Sequence, residues 1–320
     1  MKYDILVPSL CAALLAACTP DSMAAPDPGD RASSADRSRA LPVEDIEHIV
    51  GAEGVVAGGV LDITIARTDI GEVRGPAGVT FTPAFEIHGR IAFQPVGAGK
   101  ALLNLDMALR EDETNPFIAR LLQRGLVFQA FHQHLPMPPQ VWFVHARAIG
   151  EPLALARGVR AALDVTHTPL PQTLPPHPNT PLDPQRLARI LHGEAMVGAD
   201  GVVTVVVPRT DRIMLDGVRV SPRAGISTEI EFKPTATRTR DGKPGDPANA
   251  QVCPDFSMLA GEVVPVVKQM LLDKHWIQGS LRNDETNQQP PLFYDAMVKE
   301  GDAYQLAQEI RAGLDLTHTR

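Results

Sequence analysis

The sequence has no excess of basic residues: 30 lysines and arginines stand against 38 aspartates and glutamates, which gives a formal net charge of −8. No local cluster of lysine and arginine interrupts this balance. Proteins bind a phosphate backbone mainly through positive charge, and this composition offers none in surplus. We therefore do not expect nucleic acid to be a partner.

Cysteine is scarce, with three residues in a chain of 320. Cys11 and Cys18 lie within and at the end of the first apolar segment, which leaves Cys253 without a partner, so no disulfide framework is expected. After that segment the sequence also lacks an apolar run of about 20 residues, the length that a membrane-spanning helix needs.

The apolar segment at the start of the chain is typical of an export signal. Lys2 precedes an apolar run over residues 5–17, which is too short to span a hydrocarbon core about 30 Å thick. The run ends in Leu-Ala-Ala-Cys at 15–18, which resembles the lipobox of bacterial lipoproteins. We predict a lipoprotein signal peptide over residues 1–18 and a lipid anchor on Cys18. The alternative is ordinary secretory cleavage.

This interpretation predicts where the protein lies. The mature chain is attached to a membrane through Cys18, on the periplasmic side of the bacterial envelope. Thr19 rather than aspartate follows the cysteine, and by resemblance to the usual sorting pattern this favours the outer membrane.

Three segments occur twice, in the same order, in the two halves of the chain. Residues 59–69 align without a gap with 201–211, and both segments end in Arg-Thr-Asp. Each half also has a Phe-x-Pro segment and closes on Leu-Asp-x-Thr-His-Thr. Such self-similarity predicts a duplicated domain. The predicted organisation is a flexible stalk over 19–42, a first repeat over 43–168, a Pro-rich linker over 169–183 and a second repeat over 184–320.

Each repeat has the pattern of an α+β unit. Alternating β-branched strands are interspersed with short helices, among them a closing helix over 152–163 or 303–314. A further helix is predicted with Pro116 in its first turn and Asn115 as its cap. We expect two homologous two-layer domains, each with a mainly antiparallel sheet and helices on one face, related by a pseudo-twofold axis.

Histidine is clustered at one place. His132 and His134 are two residues apart, which on a strand puts both side chains on the same face. His145 follows on the next strand after a turn with three prolines, which makes the two strands antiparallel neighbours. Three neutral imidazoles on one sheet face are suitable ligands for a divalent transition metal, of which zinc is the commonest. Glu113 is a further candidate, as a fourth ligand or a general base.

The second repeat offers an internal comparison. Aligned from Glu113 before the turn and from the closing anchor at Leu163 after it, with a gap in the turn, it has other residues where the first repeat has its three histidines. These residues, or their immediate neighbours, are Leu281, Asn283 and Ala296. A purely structural need for imidazoles would be shared by both copies, so we favour a functional site in the first repeat alone. The alternative is a hydrogen-bonded polar cluster, or histidines that face solvent at a sheet edge.

The same residues carry a resemblance to a known family. Segments 109–116, 131–134, 141–145 and 160–164 resemble the LppY/LpqO lipoprotein family, a domain of unknown function. That family typically has an acidic residue before Asn-Pro, a His-Asn-His strand and a further histidine after a Pro-Arg turn; here glutamines stand at 133 and 140 in place of the asparagine and the arginine. The resemblance covers both repeats and implies a duplicated fold and an envelope location, but no activity.

Two functions remain open at this point. One is an envelope binding protein for an unknown small molecule or envelope protein, with a divalent-metal site in the first repeat. The other is a metal-dependent enzyme, hydrolytic or oxidative, which uses the same histidines with Glu113 as base or ligand.

Overall fold

The computed structural model describes residues 40–136, 138–175, 178–235 and 248–319. The predicted signal peptide, Cys18 and all but the last residues of the predicted stalk lie outside the described residues. Among the residues described, no helix is long and apolar enough to span a membrane.

The first repeat alternates short strands with three helices in its described part. A tight 3₁₀ turn lies between its third and fourth strands. The elements are α1 (Val43–Val50), β1 (Val55–Ala57), β2 (Val60–Ala66), β3 (Val73–Arg74), β4 (Thr80–Phe81), β5 (His88–Gly97), β6 (Lys100–Arg110), α2 (Glu111–Gln123), β7 (Val127–His132), β8 (Val141–Gly150) and α3 (Pro152–Leu163).

The second repeat contains the same succession of main elements. They are α4 (Pro184–Leu191), β9 (Glu194–Val197), β10 (Val203–Val207), β11 (Met214–Leu215), β12 (Val218–Arg219), β13 (Thr228–Pro234), β14 (Asn249–Leu259), α5 (Ala260–Lys268), β15 (Ile277–Arg282), β16 (Gln288–Gln289), β17 (Leu292–Asp302) and α6 (Ala303–Leu314).

The two repeats build sheets of identical topology. The first sheet has the order β1-β2-β5-β6-β8-β7 and the second β9-β10-β13-β14-β17-β15, and all neighbouring strands are antiparallel. Corresponding strands therefore occupy corresponding places. This confirms the duplication and the prediction of α+β units with mainly antiparallel sheets.

The central strands are buried on both faces, and successive side chains along each strand pack alternately on one face and the other. In β6, Leu103 and Leu105 pack with helix residues such as Val159 in the core of the first repeat. The alternate residues of β6 face the other way, where Leu102 packs with Tyr294 of the second repeat. The helices thus cover the outer face of each sheet, and the inner faces of the two sheets pack against each other.

Helix α2 begins earlier than the sequence predicts. It starts at Glu111, so Pro116 lies inside the helix rather than in its first turn, and Asn115 is not the cap. Pro116 is the sixth residue of the helix, beyond the first four backbone N–H groups that lack an intrahelical partner, so its missing N–H costs the helix one backbone hydrogen bond.

The second repeat has one residue more between its second helix and the following strand. Helix α5 continues into a π-helical turn, Gln269–Asp273, before β15 begins at Ile277. A π-helical turn accommodates one extra residue in an otherwise α-helical segment. From that point on, the gap-free alignment of the two repeats is shifted by one.

Candidate metal centre

Two imidazoles meet on the inner face of the first sheet. His132 is the last residue of β7, and His145 lies in β8, the strand paired with β7. In β8, Val144 points to the helix-covered core, so His145 points inward with Phe143, towards the second repeat. The Nε2 atoms of His132 and His145 are 2.8 Å apart, and their ring centroids 4.9 Å. The structure therefore brings these two predicted residues together.

Two carboxylates complete the group, and neither was expected from the sequence. Asp284, from the second repeat, has Oδ1 3.3 Å from Nε2 of His132 and Oδ2 3.8 Å from Nε2 of His145. Asp106 of β6 pairs with His145 across the strands and has Oδ1 3.4 Å from its Nε2. Ligands around a tetrahedral zinc ion are separated by about 3.3 Å, since each lies about 2.0 Å from the metal. His132, His145 and Asp284 are positioned to bind a metal ion.

Burial determines the charge of these donors. It lowers the pKa of His132 and of His145 below the usual range, which leaves both rings neutral, the form in which an imidazole can bind a metal ion. Burial also raises the pKa of Asp106 to about 6 and that of Asp284 to about 7, although His145 opposes the first shift and Arg282 the second. A bound cation would favour the ionised form of both carboxylates. Among the described residues, Asp106 Oδ1 has no hydrogen-bond partner.

His134 is buried beside this group but is turned to other partners. Its ring stacks on Phe143, with centroids 3.7 Å apart. The Nη2 of Arg282 lies 3.2 Å from Nε2 of His134, and a guanidinium only donates, so Nε2 accepts. Nδ1 then donates to Glu86 Oε2 at 2.9 Å. Both ring nitrogens have protein partners, and the structure does not bring His134 into the donor group.

Glu113, predicted as ligand or base, is bound to other partners, and the structure does not bring it into the donor group. Its side chain is 2% exposed, and Oε2 accepts from Nη2 of Arg67 at 2.7 Å and from the backbone N–H of Arg110 at 2.9 Å. Oε1 accepts from the backbone N–H of His167 at 2.7 Å. Burial raises the pKa of Glu113, but these hydrogen bonds outweigh it and the pKa is lowered. Glu113 is a structural carboxylate that fixes the start of α2.

The second repeat has the same arrangement, which supports a structural role. Glu262 Oε2 accepts from Nη1 of Arg209 at 2.8 Å and from the backbone N–H of Leu259 at 2.7 Å. Glu262 Oε1 accepts from the backbone N–H of His318 at 2.8 Å. The Arg-Thr-Asp and Thr-His-Thr segments that revealed the duplication thus meet in both repeats.

In the second repeat the structure places immediate neighbours of Leu281 and Asn283 opposite the histidine pair, as the sequence prediction allows. Leu281 is 48% exposed, and Asn283 donates to the backbone oxygen of Leu292 instead of lying at an equivalent site. The extra residue of the π-helical turn shifts the alignment by one, so Arg282 and Asp284 take their places. The candidate donor group draws on both repeats, because Asp284 belongs to the second.

A cavity of about 120 Å³ lies beside the donors, between the two sheets. It is bordered by Asp106, His145 and Asp284, and also by Asn104 and Tyr294. This volume holds several water molecules or a small ligand. A metal ion held by the donor group would therefore border a space that water or a small molecule can fill.

Comparisons with known proteins agree with the duplication. A family model described as Domain of Unknown Function (DUF1259) matches residues 44–165 and 185–316, one segment for each repeat. No curated protein matches the chain. Among solved structures, the crystal structure of EtuB from Clostridium kluyveri is similar over 82% of this chain and 90% of that chain, with 11% identity and a TM-score of 0.23.

Proposed function

The chain belongs to the family described as Domain of Unknown Function (DUF1259), whose description names no activity, and we propose a function from the site itself. The protein binds a divalent transition metal between its repeats. The observation that carries the proposal is the convergence of two neutral imidazoles from the first repeat and one carboxylate from the second. Asp106 supplies a further oxygen donor to the same ion.

Zinc is the metal that this donor set favours. Two imidazoles and two carboxylates without a thiolate suit zinc, and also iron, nickel or copper, better than magnesium or calcium, which prefer oxygen ligands alone. Zinc readily accepts four-coordinate geometry, and the separations of 3.3 to 3.8 Å between Asp284 and the two imidazoles approach what that geometry requires.

The direct test is a zinc titration of protein made without a histidine tag. We expect one zinc ion per chain in calorimetry and in metal analysis. Structural zinc sites with four ligands bind with about 10–16 kcal/mol, so the loss of one ligand costs about 3 kcal/mol, or about 100-fold in affinity. His145→Ala should show this loss. His48→Ala, at an exposed histidine of α1, should bind zinc like the wild type. Wild-type protein that stays free of stoichiometric metal would contradict the proposal.

A metal-dependent enzyme is the second candidate, and the cavity is the observation that favours it. A metal ion beside Asp106 and His145 would face a space large enough for water and a small substrate. The test is hydrolysis of an activated ester. If His145→Ala abolishes this hydrolysis and His48→Ala retains it, the protein is a metal-dependent enzyme. Metal binding without such turnover leaves the binding protein.

We further propose that the protein acts in the bacterial envelope, attached through a lipid on Cys18. The Leu-Ala-Ala-Cys sequence at 15–18 and the resemblance to the LppY/LpqO lipoproteins support this location. Cys18→Ala should block lipidation, so that the protein is released into the soluble periplasmic fraction or stays unprocessed. Fractionation and metabolic labelling with a fatty acid measure both outcomes. Unchanged membrane attachment of the variant would exclude the anchor.

A further inference from the structure

The two repeats build two half-sites that correspond residue for residue. We define the His132 half-site as His132, His145 and Asp106 with Asp284 from the second repeat. Its counterpart, the Arg282 half-site, consists of Arg282, Ala296 and Asp255 with His134 from the first repeat.

Strand positions establish this correspondence. His132 and Arg282 are the last residues of β7 and β15. Asp106 pairs with His145 between β6 and β8, as Asp255 pairs with Ala296 between β14 and β17. Equivalent strands therefore place each pair at the same point of its sheet.

The contacts between repeats correspond as well. Asp284 lies two residues beyond the end of β15 and reaches His132 of the first repeat at 3.3 Å. His134 lies two residues beyond the end of β7 and reaches Arg282 of the second repeat at 3.2 Å. Each half-site thus receives one side chain from the other repeat, at equivalent positions.

The two half-sites differ in what supplies the positive charge. In the Arg282 half-site the guanidinium binds Asp255 in a bidentate pair, with Nη2–Oδ2 of 2.7 Å and Nη1–Oδ1 of 3.1 Å. Its Nε also donates to Asp284 Oδ2 at 3.0 Å. In the His132 half-site, Oδ1 of the corresponding carboxylate, Asp106, has no hydrogen-bond partner in the part of the chain that the structure describes. One half-site contains its own cation and the other has only ligands for one.

We propose that the guanidinium of Arg282 is a built-in cation that takes, in its half-site, the place that a metal ion takes in the His132 half-site, so that the chain binds one ion and not two. The inference rests on the proposed metal binding. The same guanidinium also donates to Asp284, which lies between the two half-sites.

The test restores the imidazoles of the first half-site in the second. Arg282→His with Ala296→His places them at the positions equivalent to His132 and His145. We expect two zinc ions per chain in the double variant and one in the wild type, measured by metal analysis and calorimetry. One ion in both proteins would overturn the inference and leave the proposed function intact.

A variant with two further substitutions identifies the site of the new ion. In the double variant that also carries His132→Ala and His145→Ala, one ion should remain. No ion in this protein, or two in the wild type at saturating zinc, would overturn the inference. A wild type and a double variant that both bind none would overturn the proposed function together with it. If the double variant does not fold, Arg282→His alone should still gain a weaker second ion through His134 and Asp255, and no gain would count against the inference.

Discussion

Replacement of Asp284 by asparagine is expected to weaken zinc binding about 100-fold, as much as the loss of an imidazole from the first repeat. Asp284 belongs to the repeat that has no histidine in its site, yet its oxygens lie 3.3 and 3.8 Å from the Nε2 atoms of His132 and His145. Asparagine keeps the size of the side chain and an oxygen that can accept from Arg282, so the change removes a charge with little change in packing. Calorimetric titration with zinc measures the effect.

The matched control is Asp273→Asn, at an exposed aspartate of the same repeat. It removes the same charge far from the donor group and should bind zinc with wild-type affinity. Wild-type affinity in Asp284→Asn, with an unchanged circular dichroism spectrum, would show that the second repeat contributes no ligand, and the site between the repeats would have to be abandoned.

Much of the architecture could be predicted because it follows from local pattern and from repetition. The closing helices at 152–163 and 303–314 have the predicted bounds, since a proline or an aspartate cap marks their start and apolar residues recur at helical spacing. The start of α2 was predicted too late, because Pro116 suggested a first turn. Its true start depends on Glu113, whose partners Arg67 and His167 are distant in sequence.

The donor group could be predicted only in part. The two-residue period of strands was enough to expect His132 near His145, because both lie on neighbouring strands. Asp284 could not be found in this way, because it reaches the site from the other repeat. The one extra residue of the π-helical turn also shifted the alignment of the second repeat on the first. The sequence did contain a clue to Asp106, because it is a charged residue in the otherwise apolar strand β6, on the inner side of the sheet.

The internal comparison of the repeats gives opposite answers for the histidines and for Glu113. Histidines are absent from the equivalent positions of the second repeat, which indicated a role beyond the fold. Glu113 has its counterpart in Glu262, and a residue retained in both copies indicates a need of the fold itself. Its buried ion pair with Arg67, repeated between Glu262 and Arg209, agrees with that interpretation.

Glu113→Ala and Glu262→Ala are each expected to lower the free energy of unfolding by about 3 kcal/mol. Each substitution leaves a fully buried arginine without one of its carboxylates and removes the acceptor for two backbone N–H groups. The cost falls at the lower end of the range of about 3–5 kcal/mol for a broken buried pair, because Asp69 still binds Arg67 in the first repeat. Urea unfolding followed by circular dichroism measures the loss.

Zinc stoichiometry distinguishes this structural role from a role at the metal. Both variants should still bind one ion per chain at temperatures where they are folded, because the carboxylate of Glu113 is fully engaged by Arg67 and backbone donors elsewhere in the repeat. Glu111→Ala, at an exposed acid in the first turn of the same helix, should change stability by less than about 0.5 kcal/mol.

The lowered pKa of Glu113 means that its contribution to stability is present at neutral pH and is lost as the pH falls through the pKa of the folded state. If Glu113→Ala lost the zinc ion while its stability stayed unchanged, Glu113 would be part of the metal site and not a structural carboxylate.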